Sequence, residues 1–304
     1  MLQEPMQNRI SKRWRAGACL MFAVCSLACA AGSRPPATAQ PDAAVSGYPA
    51  TLAASEERRA SAREAWSTFA GAQGVGADAP APEFQPLTAT VRTIAPVTAS
   101  SVFLRLPRVG AAGGEQTEEQ TREALRRFIE SARALLGVNP ADVSLLAIET
   151  RDGGAKSARY RQQPFTYNLR GGYGEIEIVF LPDGRVTELS STALPEADRL
   201  RRALATIRPR VSADEARLGV VGQTFTRGSR SSGGSAANAE TVVVSDRSAV
   251  TVRELVIYPI ARVEDSSTLE FHLAWEISVT RAGAPDALIY LDAVRNEIII
   301  VEAE

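Results

Sequence analysis

Thr268-Leu269-Glu270-Phe271-His272-Leu273-Ala274-Trp275-Glu276-Ile277-Ser278-Val279-Thr280 is the stretch that decides the fold class. Successive side chains of an extended chain point to opposite sides. Leu269, Phe271, Leu273, Trp275, Ile277 and Val279 therefore share one face, and Glu270, His272, Glu276, Ser278 and Thr280 the other. A strand with one apolar and one polar face fits an antiparallel sheet covered by helices on one side and wet on the other. This alternation places the polar row in solvent and Trp275 in the core.

Working outward, Thr241 to Ser245, Val250 to Ile260, Ala287 to Asp292 and Glu297 to Glu302 are rich in β-branched residues and predict further strands. Asp292-Ala293-Val294-Arg295-Asn296 turns the last hairpin, with Asn296 suited to the left-handed conformation. Upstream, Ser212-Ala213-Asp214-Glu215 has the form of a capping box and predicts a helix through Leu218 and Val221 to about Phe225, before a Gly/Ser-rich loop from Arg227 to Asn238. Pro195 to Ile207 predicts a connecting helix.

The same plan stands earlier in the chain. Thr117-Glu118-Glu119-Gln120 is another capping box, and Leu125, Phe128, Ile129, Ala132, Leu135 and Leu136 recur at spacings of three and four. Gly137 and Asn139-Pro140 end that helix. Val143 to Glu149, Ala158 to Gln163, Glu175 to Leu181 and Arg185 to Ser191 then predict strands, the last two joined by the turn Pro182-Asp183-Gly184. The expected fold class is α+β, with two tandem modules, each a helix packed on an antiparallel β-sheet.

The first thirty residues have the form of a secretory leader. Arg9, Lys12, Arg13 and Arg15 precede an uncharged run from Ala16 to Ala30, shorter than the roughly 20 residues of a membrane span. Ala28-Cys29-Ala30 suits cleavage before Ala31, while Ser26-Leu27-Ala28-Cys29 resembles a lipoprotein signal in which Cys29 becomes the lipidated N-terminus. Removing that leader takes away four cations and Glu4, so the formal charge moves from -1 to -4. A mildly acidic body gives no electrostatic reason to bind nucleic acid. All three cysteines, Cys19, Cys25 and Cys29, lie in the leader, so the body holds no thiol. Residues 31–83 read as a flexible tether with a short helix over Glu56 to Ala72, 84–207 as the first module with its connecting helix, and 208–304 as the second.

Tyr160-Arg161-Gln162-Gln163, the glycines 171, 172 and 174, Glu175-Ile176-Glu177-Ile178, Pro182-Asp183-Gly184-Arg185-Val186 and Pro195 resemble the fungalysin/thermolysin propeptide (FTP) module. Ser212-Ala213-Asp214-Glu215-Ala216, Glu254-Leu255-Val256-Ile257-Tyr258-Pro259, Leu273-Ala274-Trp275-Glu276 and Ile289-Tyr290-Leu291-Asp292-Ala293 resemble the PepSY module that follows it. The resemblance covers about Thr117 to Glu304 and departs from the family at Arg295-Asn296, where Thr-Gly is usual. It implies the pro-segment of a secreted zinc peptidase, which assists and inhibits that enzyme. The peptidase's H-E-x-x-H sequence is absent, and His272 is the single histidine. The implied role is that of a non-catalytic inhibitor or chaperone-like binder of a secreted metallopeptidase or of extended peptides. An envelope-tethered adaptor lipoprotein is the alternative.

The remaining chemical groupings read as structural. His272 between Glu270 and Glu276 could serve as a metal ligand or base, but a lone imidazole on a polar strand row reads first as a solvated residue. Gly171-Gly172-Tyr173-Gly174 precedes a strand rather than a helix, so it reads as a turn and not a phosphate cradle. Glu118-Glu119 and Asp214-Glu215 suit first helical turns. No catalytic, metal or cofactor-binding residues are expected. Partners are protein or peptide, with no nucleic acid and membrane contact only through Cys29. Gln162, Gln163, Tyr167 and Glu276 are the expected peptide contacts, by addition of an extended segment to a sheet edge or polar strand face. Gln163 and Asp292 read better as structural residues that satisfy turn amides.

Overall fold

The computed structural model describes residues 47–75, 81–94, 104–110, 116–163, 165–226, 241–262, 265, 267–281, 283 and 286–303, all within the unit Asp42–Glu304. The leader with Cys29, the early tether and the Gly/Ser-rich loop lie outside them. Strand β1 (Ala50–Ala53) leads into helix α1 (Glu56–Ala72), where Ser55 caps the Arg58 amide. Short strands β2 (Glu83–Phe84) and β3 (Val91–Ile94) precede α2 (Glu118–Ser131) and α3 (Arg133–Leu136). Strands β4 (Val143–Thr150), β5 (Lys156–Gln162), β6 (Asn168–Leu169), β7 (Glu175–Phe180) and β8 (Val186–Ser191) follow. Helices α4 (Ala197–Ala205) and α5 (Ala213–Val220) then lead to the pair β9 (Thr224–Thr226) and β10 (Thr241–Val243). Strands β11 (Val250–Ala261), β12 (Thr268–Val279), β13 (Ala287–Asp292) and β14 (Ile298–Ala303) complete the order.

The first sheet has the order β2-β3-β8-β7-β5-β4 and carries α2 on its inner face. The α2 helix starts where the sequence places it: Thr117 N donates to Gln120 Oε1 at 3.0 Å and Gln120 N to Thr117 Oγ1 at 3.3 Å, satisfying two orphan amides reciprocally. Leu125, Phe128, Ile129, Leu135 and Leu136 are buried against Ile176, Ile178 and Leu189. Phe69 of α1 meets Phe128 edge-on, with ring centroids 5.7 Å apart. The run closes at Gly137, whose φ is 73°. A Cβ there would stand 2.8 Å from Thr90 Cγ2 and 3.0 Å from Pro195 Cβ, so both conformation and space require glycine.

The second sheet runs β14-β13-β12-β11-β6, with β1 also paired to β12. Beneath β12, Leu200 and Leu204 of α4 pack with Leu269, Phe271 and Leu273, and Ala216 and Val220 of α5 pack with Ile277 and Val279. Trp275 lies between these clusters and donates its Nε1 proton to the Val211 carbonyl at 2.8 Å. The α+β architecture of helices on antiparallel sheets is thus present twice, and the strand assignments from Val143 onward hold to within a residue or two.

Three local expectations are corrected. The tether ends earlier than expected, because Tyr48 and Leu52 are buried and β1 pairs with Thr268 to Phe271. These two apolar residues are too sparse for a periodic signal, and the partner that orders them is more than 200 positions away. The α5 helix stops at Val220 rather than near Phe225: Val221 is extended, Gly222 has φ 79°, and Thr224–Thr226 pairs with β10. The polar face of β12 is not in solvent, since His272, Glu276 and Ser278 are all buried.

Phe128 reaches the helix, the sheet and α1 at once. Phe128→Ala is expected to lower the unfolding free energy by about 3–5 kcal/mol in urea denaturation, the usual range for a core aromatic. A loss under about 1 kcal/mol contradicts that role.

Candidate functional site

The polar face of β12 is an interior network. Asp292, at the end of β13, accepts four hydrogen bonds. Oδ1 takes the Val294 and Arg295 amides, each at 2.8 Å, and Oδ2 takes the Tyr48 hydroxyl and His272 Nδ1, each at 2.8 Å. The Tyr48 oxygen in turn accepts the Leu273 amide at 3.1 Å. One carboxylate therefore fixes the β13–β14 turn, the middle of β12 and the entry of the chain into β1. The expectation that Asp292 satisfies turn amides holds, and so does the left-handed Asn296, with φ 59°.

His272 is corrected from a solvated residue to a buried one. Because the Asp292 carboxylate is an acceptor, Nδ1 carries the proton. Nε2 is buried without a hydrogen-bond partner, 3.4 Å from Glu270 Oε2, and Glu270 is itself held by Arg262 Nε at 2.7 Å. Among the described residues no three His, Cys, Asp or Glu side chains gather as a metal site requires. Burial works to raise the Asp292 carboxyl, but the His272, backbone and Tyr48 donors outweigh it and hold Asp292 below the usual aspartate range. Burial and the Asp292 charge push the Tyr48 phenol well up, so it stays a donor.

The expected peptide contacts do not form a surface. Gln162 is buried, and its side-chain amide forms a closed pair with the Leu194 backbone, 2.8 Å from Nε2 to the carbonyl and 2.9 Å from the amide to Oε1. Glu276 is buried, accepts from Arg170 Nε at 2.7 Å and lies 3.7 Å from Arg253 Nη1. Tyr167 packs, half-buried, on the core beneath the second sheet, and Gln163 is exposed, with its amide on the Asp142 carbonyl at 2.9 Å. Two of the four, Tyr167 and Glu276, therefore serve the join between the sheets. That join is an excursion of the chain between β5 and β7. Asn168–Leu169 pairs in parallel with β11, and Arg170 spans Glu254 and Glu276. A Cβ on Gly174, whose φ is 82°, would stand 2.8 Å from Leu169 Cδ2, so that glycine lets the excursion fold back closely on itself.

An open feature lies at the β4 edge of the first sheet, among residues that carry no site signal in the sequence. The last strand of that sheet, β4, has no neighbour on its outer edge among the described residues. Between it and α2 runs a groove of about 660 Å³, floored by Ile129, Leu145, Ile148 and Tyr160. The register slips between Leu145 and Ala147, which throws Leu146 outward to 50% exposure on the lip. Burial pushes the Tyr160 phenol up to about 12.

Comparison with known proteins adds little to this geometry. No family model matches the chain, and no curated protein does. Two solved structures show a distant likeness. The Bacillus megaterium YpeB C-terminal domain has 12% identity and a TM-score of 0.27, over 83% of this chain and 98% of that one. An uncharacterized protein from Eubacterium rectale has 9% identity and a TM-score of 0.30, over 77% of this chain and 80% of that one. Likeness at this level carries no argument about function.

The Asp292 network has a pH signature. A carboxyl held below its unfolded value contributes its full stability above that unfolded value, near ~3.9, and loses it as pH falls through the lower folded value. Asp292→Asn is expected to cost about 3 kcal/mol at neutral pH. Its deficit relative to the wild type should shrink as denaturation is repeated below about pH 4. A deficit that stays constant down to about pH 2 contradicts the assignment.

Proposed function

We propose that this is an exported, non-catalytic binding protein that captures polypeptide in extended form by strand addition to the outer edge of β4. The observation that carries the reading is the pairing of an unpaired strand edge with an adjacent apolar-floored groove. An added strand gains main-chain hydrogen bonds from the edge and side-chain burial from the groove. The bulge at Leu146 divides the edge into Val143–Leu145 and Ala147–Thr150, which limits indiscriminate sheet-to-sheet association while leaving a run long enough to pair.

The FTP-like and PepSY-like motifs support a secreted metallopeptidase as the partner class, and the leader-like first thirty residues support export. His272 supports the non-catalytic reading through what it does: its Nδ1 proton is committed to Asp292, and its Nε2 faces a carboxylate in the interior.

The test uses the purified chain with a secreted thermolysin-type zinc peptidase, reading complex formation by gel filtration and residual peptidase activity. The wild type is expected to form a complex. Leu146→Asp, which changes only an exposed lip residue, is expected to weaken it at least about tenfold, or roughly 1.4 kcal/mol, with the melting temperature nearly unchanged. No complex with the wild type, or one indifferent to Leu146→Asp, counts against the reading.

A further inference from the structure

Resting on the strand-addition reading, we infer that the β4 groove selects acidic extended segments, with carboxylates at alternate positions facing α2. The groove is lined by Arg122, Arg126 and Lys156 and by the carboxylate of Glu118, and Glu123 stands beside it as the partner of Arg126, which leaves three cations to two carboxylates. The excess is local: the whole chain has a formal charge of -1, and Lys156 is one of only two lysines in it.

Geometry sharpens the charge argument. Arg122 and Arg126 stand one helical turn apart, so their side chains emerge about 6 Å from each other. Every second residue of a strand repeats at about 6.8 Å. A strand added outside β4 therefore presents successive helix-facing side chains at nearly the spacing of the two guanidinium groups. Glutamate suits these positions, because its methylenes lie over Ile129, Leu145 and Ile148 while its carboxylate reaches the arginine. Residues facing the opposite way meet Leu146 and are best apolar. Lys156 pairs with Thr150 and marks the end of the groove where a further carboxylate is accommodated.

Both arginines are already engaged by carboxylates of their own helix. Arg122 Nη2 reaches Glu118 at 2.6 Å, and Arg126 holds Glu123 through Nε at 2.7 Å and Nη2 at 3.0 Å. These pairs do not block the site. They are solvent-exposed contacts of small individual worth, and a guanidinium has five donors, enough to hold a second carboxylate beside the first.

The experiment is fluorescence anisotropy with the full chain and four labelled synthetic peptides: valine alternating with glutamate, with lysine or with serine, and the glutamate peptide interrupted by proline. The glutamate peptide is expected to bind at least about tenfold tighter than the lysine peptide, with the gap narrowing as salt is raised. Proline insertion is expected to abolish binding by removing the ladder amides. The double variant Arg122→Glu, Lys156→Glu, checked for folding by circular dichroism, should reverse the preference while leaving the serine peptide unchanged. Equal binding of the glutamate and lysine peptides overturns the charge inference but leaves strand addition standing. Full binding of the proline-interrupted peptide, or no binding of any peptide, overturns both.

Discussion

The structure depends on β12 being interior on both faces. Twelve residues from Thr268 to Val279 pair with β11 along one side and with β13 and β1 in succession along the other. One face is closed by α4 and α5. The other is closed by polar residues whose partners lie mostly within the protein, which lowers the penalty of burying them, with His272 Nε2 the exception. His272 and Glu276 find their partners in different ways. His272 is satisfied at Nδ1 by Asp292, whereas Glu276 is satisfied by Arg170, delivered by the excursion between β5 and β7. The two sheets are consequently joined by charge and backbone pairing at the place where the second sheet most needs cover.

This arrangement bears on the proposed partner site. The side chains of His272, Asp292 and Glu276 are engaged inside the protein, so the proposed surface is the β4 edge of the first sheet. There, among the described residues, β4 ends the sheet without a neighbour, and α2 lines the groove beside it. The proposed binding reading rests on that division: the polar face of β12 is engaged by the protein's own side chains, whereas β4 is an end strand that lies beside a groove.

Much of the fold was legible because its signals are local. The reciprocal caps at Thr117 and Ser212, the stop at Gly137, the turn at Asn296 and the alternation in β12 each depend on residues within one element. The parts that were not legible are held by distant pairing. Ala50–Ala53 carries no strand signal of its own and becomes a strand because β12 offers an edge. Asn168–Leu169 is two residues long, too short for any periodicity, and joins β11 only because the surrounding excursion packs Tyr167 and Tyr173 on the second core. The polar row of β12 shows the same limit: alternation correctly separates its two faces but does not say whether the polar one meets water or an arginine from another sheet. The β4 groove was invisible for a related reason, since Leu146 is ordinary until a slipped register turns it outward.

Native-state amide hydrogen exchange tests this division most directly. The account predicts that the amides of Phe271 to Ile277 in β12 are among the slowest in the protein, opening only with global unfolding, while the alternate amides of Val143 to Thr150 that point away from β5 exchange rapidly. Fast exchange through the middle of β12, or uniform protection along both edges of β4, would contradict it.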